Sequence, residues 1–279
     1  MNARLQQPHS RVGYVGGANV AGILGISPFR TPLDEYLLIT GEREEIITTE
    51  KAEFFEDRRD LEPWAAKKFV RRSGLAIVRT NERYTDAVLP WARAEIDFEV
   101  EDGGNGETKT VHPNAVRDWG DPDAGDEPPM YVTAQAMWGM GVHPATHCYV
   151  QALVGFDDYR LYRIERHEPT IHEIRQRVAD FWRWHVEMRR APQPINHADV
   201  VALYNRDSGR AVEADQNTRS ALENLATVRR RLAWDENQRN LAEFVIKAFM
   251  RDATTLLVDG KPALTWKARA DGVRVFRIR

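Results

Sequence analysis

The chain has 279 residues, 42% hydrophobic and 29% charged, with a formal net charge of −3. That composition excludes a disordered or fibrous chain. No apolar run approaches the roughly 18 residues of a membrane helix, and the N-terminal stretch lacks a signal-peptide core. The single cysteine, Cys148, excludes a disulfide framework, a cysteine-rich zinc site and a four-cysteine iron–sulfur cluster within one chain. The expectation is a cytoplasmic protein with no membrane partner.

In chain order, GANVAGILG (17–25) reads as a short apolar helix. Thr31 is an N-cap candidate with Pro32 at the first helical position of the next helix, which runs to about Gly41. A longer helix covers 49–73, with Pro63 as a kink or a new start and Gly74 as the stop. LAIVRT, WARAEIDFEV and ETKTVH then read as strands, with GGNG as a hairpin turn between the last two. A loop over 113–128 leads to a helix over 129–141, and ATHCYVQALVG and YRLYRIER form a strand pair. Residues 168–190 are an amphipathic helix with Ile171, Ile174, Val178, Phe181, Trp182 and Val186 on one face. Residues 191–199 read as a linker, followed by helices over 213–233 and 237–252 and a small β ending with turns at Asp259-Gly260 and Asp271-Gly272. The layout is α/β around a mixed sheet.

Asp97, Glu107 and Lys109 carry the chemistry. Residues two apart on a strand face the same way, so Glu107 and Lys109 project together, and Asp97 joins them if the two strands pair. Two carboxylates suit Mg²⁺, which prefers oxygen ligands and keeps waters. A metal of this kind polarises a phosphoryl oxygen and acidifies a bound water, and an ammonium orients that water or offsets transition-state charge. The chemistry indicated is phosphodiester hydrolysis. The same residues also fit a solvated hairpin with a cross-strand ion pair.

Five motifs in order discriminate between these readings: VGGANVAGILGISPFRTP (15–32), LEPWAAKKF (61–69), the Asp97 strand, GETKT (106–110), and Trp119-Gly-Asp with DEPPMYVTAQAMWGM from Asp126. Together with the closing strands and FWRWHVE (181–187), they resemble the lambda exonuclease and YqaJ-like phage recombinase nucleases of the PD-(D/E)XK superfamily over about residues 13–190. The resemblance implies a central mixed sheet flanked by helices, in a nuclease domain over 1–190. Residues 200–279 would be a helical and small β extension, a contact for oligomer, DNA or partner. It implies Asp97, Glu107 and Glu62 as metal carboxylates, Lys109 as the catalytic lysine and Gln135 as the active-site glutamine. Two Mg²⁺ ions are implied, with Mn²⁺ as a substitute. So are 5′→3′ digestion of one strand from double-stranded DNA ends, 3′ single-stranded overhangs for recombination, a ring-shaped homotrimer and a single-strand annealing partner.

Two departures stand out. The family's Ser-Asp is Ala18-Asn19 here, which removes a hydroxyl suited to a terminal phosphate. Its Asp-Gly is Asp97-Phe98, which should narrow the space beside the metal. Ser27 and Arg30, after the first helix, are candidate phosphate contacts, and Tyr131 either positions the Gln135 helix or belongs to the core. The eight histidines have no zinc-ligand spacing, Trp182 reads as core and Trp184 is open to base stacking. The alternatives are an endonuclease on the same fold and a non-catalytic DNA-end scaffold that recruits an annealing protein. Total charge does not decide between partners: residues 101–127 hold eight acids and two bases, whereas the last 19 residues hold six bases and one acid. The expectation is an acidic site with a basic surface elsewhere.

Overall fold

The computed structural model describes residues 12–278 apart from Ile46 and Phe156. The chain divides into two units, with the division between Arg206 and Asp207. Residues 191–206 therefore fall in the first unit.

The first unit is built on a five-stranded sheet of β1 (Ile77–Thr85), β2 (Arg93–Val100), β3 (Asn105–Val111), β4 (His147–Val154) and β5 (Asp158–Glu165), in chain order across the sheet. All neighbours are antiparallel except β3 and β4, which are parallel. A parallel pair needs a crossover, and residues 112–146 supply it with two 3₁₀ turns and helix α4 (Met130–Val142). The other helices are α1 (Gly17–Ile23), α2 (Pro32–Ile39) and α3 (Thr49–Ser73) before the sheet, and α5 (Glu168–Phe181) and α6 (His197–Leu203) after it. The expected mixed sheet flanked by helices is present.

Local chemistry sets these elements. α2 begins with a capping box between Thr31 and Asp34 and has Pro32 in its first turn. α6 is capped by Asn196, and its Asp199 is buried, with Oδ1 accepting from the Thr31 hydroxyl at 2.8 Å and Oδ2 from the Ile195 N–H at 3.0 Å. α3 runs from its Thr48 cap to Gly74, which takes the left-handed conformation at φ +75°. Pro63 is not a new start, since the helix continues through it. Pro63 and Arg59, whose carbonyl loses its helical donor, are both exposed, so water can satisfy that carbonyl. The amphipathic helix expected over 168–190 is α-helical only to Phe181 and continues as a π-helical turn, Trp182–Glu187. Trp182 stacks on Trp91 with centroids 4.7 Å apart, and Trp184 is half exposed.

The main core surrounds α4, whose Val132, Trp138 and Met140 are fully buried with Val20, Leu33 and Val150. The C-terminal end of α4 is held by two arginines, a favourable place for cations. Arg166 donates to the Met140 carbonyl and Arg175 to that of Gly141. A second, smaller core joins Phe69 of α3 to Phe98, Val100 and Tyr149 on the sheet.

The second unit has one helix where two were expected. α7 runs unbroken from Gln216 to Met250, because the segment Asp235-Glu236-Asn237 contains no glycine or proline. Ion pairs one turn apart, among them Arg239–Glu243 and Lys247–Glu243, run along it. A three-stranded antiparallel sheet follows: β6 (Thr255–Val258), β7 (Lys261–Ala268) and β8 (Arg274–Ile278). Asp259, Gly260 and Gly272 adopt positive φ in the two expected turns.

Candidate active site

The site forms where β2 and β3 part. The two strands pair at only two positions, Phe98–Gly106 and Glu99–Asn105. Gly106 permits that approach, since a Cβ there would lie 2.1 Å from the Phe98 ring. Pairing ends just before Asp97 and Glu107. The Thr108 N–H, released from the ladder, donates instead to Asp97 Oδ2 at 2.7 Å.

α4 places Gln135 in the fork. Lys109 Nζ donates to Glu107 Oε1 at 2.7 Å and to Gln135 Oε1 at 2.8 Å, and Gln135 Nε2 donates to the same Glu107 oxygen at 2.7 Å. The three side chains close a triangle that fixes the amide orientation and the ammonium position. Glu107 and Lys109 share a face, as alternation predicts, and Asp97 joins them.

The electrostatics are those of crowded carboxylates. Burial, and then the charge of Glu107, hold the Asp97 carboxyl well above its ordinary range, against the Thr108 N–H and the Lys109 ammonium; Glu62 pushes the same way. Burial alone would lower Lys109, but Glu107, by charge and hydrogen bond, and then Asp97 raise it overall, so it stays protonated. Burial also raises Glu62, opposed by a hydrogen bond with Asn81 and by Arg59. Glu62 lies on the α3 stripe that carries the buried Ala65 and Phe69, at three- and seven-residue spacing, and so faces the sheet.

Asn81 was not among the candidates. It has φ +56° in the middle of β1, a conformation that asparagine tolerates better than most residues. The flanking pairs Thr80–Phe98 and Glu82–Ile96 set it opposite Asp97. An asparagine inside a strand pattern was the available signal. Arg93 was also missed, although it lies on the same strand as Asp97 at even spacing. A cleft of about 420 Å³ opens beside Asp97, lined by Tyr14, Gly17, Tyr84, Arg93, Glu95 and Gln135 among others. The Arg93 guanidinium lies over the Tyr14 ring at 4.7 Å.

The donor set fits a hard divalent cation. Asp97 Oδ1 and Glu107 Oε2 have no protein hydrogen bond among the described residues, and the raised Asp97 carboxyl marks a pair short of positive charge. Among the described residues no three acidic, histidine or cysteine side chains converge as a ligand cage. Mg²⁺ does not need one, because it binds through one or two carboxylates and retains waters. Asp97 and Glu107 would hold it, with Glu62 within electrostatic reach.

The remaining candidates are placed differently. Ser27 Oγ accepts the N–H groups of Phe29 and Arg30 at 3.1 and 3.3 Å and so shapes a turn. Arg30 is engaged by Glu45 at 2.8 Å and by Glu35 at 3.8 Å. Tyr131, half-buried on the first turn of α4, lies within electrostatic reach of Lys109. Asn19 has a structural reason: its side-chain oxygen accepts from the Gly16 N–H and its amide donates to the fully buried Glu35 at 2.6 Å. An aspartate there would set two carboxylates together. Phe98 does not narrow the site as expected. Its ring packs 4.8 Å from that of Phe69 in the second core and lines no part of the cleft. Cys148 is buried behind Glu107 as a small apolar group, its thiol pushed well up by burial.

Residues 8–148 match the YqaJ-like viral recombinase domain. The chain belongs to this family. It is 23% identical over 248 residues to the YqaJ protein of Bacillus subtilis strain 168, covering 86% of this chain and 76% of that one. Among solved structures it is similar to the alkaline exonuclease LHK-Exo of Laribacter hongkongensis, at 20% identity and TM-score 0.50, covering 62% of this chain and 88% of the other. A phage-related exonuclease of Haemophilus somnus 129PT aligns at 14% identity and TM-score 0.48, over 63% and 95% of the two chains. The YqaJ-like match spans α1 to the start of β4, and so contains Glu62, Asn81, Asp97, Glu107, Lys109 and Gln135.

Proposed function

We propose that this YqaJ-like protein is a metal-dependent deoxyribonuclease, an exonuclease that degrades one strand of linear duplex DNA from its end in the 5′→3′ direction. The observation that carries the reading is the closed Glu107–Lys109–Gln135 triangle beside the half-buried Asp97 carboxyl. Bound Mg²⁺, or Mn²⁺ in its place, would polarise a phosphate oxygen and acidify a water; two ions suit displacement at phosphorus, with Glu62 completing the second. Lys109 uses two of its three N–H donors on Glu107 and Gln135 and keeps the third for a phosphate oxygen or the attacking water. Gln135 locks Glu107 through one oxygen and leaves the other, Oε2, available to hold a cation. The product would be a 3′ single-stranded overhang for recombination, passed to a single-strand annealing protein. A ring-shaped homotrimer enclosing the DNA suits processive digestion, and residues 200–279 are the candidate partner or DNA surface.

The test is incubation of linear and circular duplex DNA with the protein, with Mg²⁺ and with EDTA. Stepwise loss of one strand from linear DNA only, abolished by EDTA, is the expected result. Nicking of circles would replace it with the endonuclease reading, which Ala18 favours by withdrawing a hydroxyl from the end-binding region. Binding without cleavage would leave the scaffold reading, against which stands the presence of all five side chains.

A further inference from the structure

The apolar surface next to the triangle has no role in the hydrolysis described above. Phe29 is 76% exposed and Met130 71% exposed, although both lie beside elements that pack the main core. Phe29 stands at the tip of the turn between α1 and α2. Its own N–H and that of Arg30 are tied to Ser27 Oγ, and the Arg30 side chain is clamped by Glu45 and Glu35. The backbone on both sides of Phe29 is thereby fixed, and the ring is held out in water instead of folding back. An exposed phenylalanine forgoes the gain of apolar burial, so a ring presented on a hydrogen-bonded turn calls for an occupant.

The position of the ring identifies the occupant. Phe29 meets Tyr131 edge-to-face, with centroids 5.7 Å apart and planes at 87°. Tyr131 lies one helical turn before Gln135 on the same side of α4, and its phenol feels the charge of Lys109. Phe29 is therefore linked through Tyr131 to the side of α4 that carries Gln135, which the Lys109 ammonium meets at 2.8 Å. A base near the scissile phosphate that is out of the duplex would meet this side of α4, and every nucleobase has a face that stacks on an aromatic ring.

The geometry points to Phe29, buttressed by Tyr131, as a stacking platform for an unpaired nucleobase of the strand being cut. The inference rests on the deoxyribonuclease reading and deepens it by naming a residue that holds a base of the cut strand.

A cycle between protein and DNA tests it. The full chain is bound, in EDTA so that nothing is cleaved, to fluorescent linear duplexes that carry an abasic nucleotide at the first, second or third position of either strand. With the wild-type protein, removing the base at one of these positions should weaken binding about 5- to 100-fold, the range of a lost aromatic–base stack. With Phe29→Ala the same removal should cost nothing, and Phe29→Trp should restore the penalty. Equal penalties in wild type and Phe29→Ala, or none at any position, would overturn the platform. So would a changed oligomeric state of Phe29→Ala in light scattering, which would make the ring a subunit contact. Cleavage of linear DNA by the wild type with Mg²⁺ is scored separately. Coupling without cleavage would sink the nuclease reading alone, and cleavage without coupling would sink the platform alone.

Discussion

Replacing Asp97 with asparagine should make the metal-free protein more stable at neutral pH while abolishing cleavage. Asp97 is half-buried beside Glu107, and its one hydrogen bond among the described residues comes from the Thr108 N–H. An asparagine oxygen can accept that same bond without carrying charge. A carboxyl raised above its unfolded value, near 3.8, binds its proton more tightly in the folded state. Its contribution is therefore fully present below that value and is lost as pH rises toward the folded pKa, at a limiting slope of about 1.4 kcal/mol per pH unit. Urea unfolding in EDTA from pH 4 to pH 8, followed by circular dichroism, would record this. Subtracting the Asp97→Asn curve from that of the wild type cancels the carboxyls remote from Asp97 and leaves a difference, set by Asp97 and its coupling to Glu107 and Glu62, that grows with pH in favour of the variant. Adding Mg²⁺ should reverse the order, since only the wild type offers the paired carboxylates. A variant less stable than the wild type at pH 7 in EDTA would show that Lys109 alone satisfies the ionised pair, and the account of crowded carboxylates would fall.

Lys109→Met and Gln135→Leu should each lower the single-turnover cleavage rate by about 10²- to 10³-fold, the scale for losing one transition-state donor, with the far-ultraviolet dichroism unchanged. Asn81→Gly keeps the left-handed backbone and deletes only the hydrogen bond to Glu62, so its stability should stay near wild type while the Mg²⁺ concentration at half-maximal cleavage rises. Asn81→Val should show the same Mg²⁺ effect together with about 1–2 kcal/mol of destabilisation from its backbone, measured by urea unfolding. Gly106→Ala should cost about 1–3 kcal/mol by overpacking against Phe98, and most of that loss should return in the double variant with Phe98→Leu.

The core of the proposed catalytic set was legible because its spacing is local. Glu107 and Lys109 follow from strand alternation, and the hairpin brings Asp97 to them. Glu62 and Gln135 lie on other elements, 45 and 28 residues from Glu107, and only the order of motifs pointed to them. Asn81 was not legible, because its importance comes from a backbone conformation and from a partner on α3. Arg30 looked like a free cation in the sequence, but chain folding supplies Glu45 and Glu35 as partners. Phe98 looked like an obstruction, but the break in pairing at the fork sends its ring into the second core. The single helix α7 spans the break expected at 234–236, where Trp234, Asp235 and Glu236 include no glycine or proline to end it.

The hydrogen bond between Thr31 and Asp199 has a consequence for synthesis. It joins side chains 168 positions apart, and Thr31 is the residue that starts α2 and closes the turn bearing Phe29. On the ribosome every residue proposed for catalysis emerges well before Asp199, so the turn beside the active site remains unlatched until α6 has followed. A fragment ended at residue 190 would contain every residue proposed for catalysis yet lack that latch. Limited proteolysis should cut it at 25–31, where the longer chain resists.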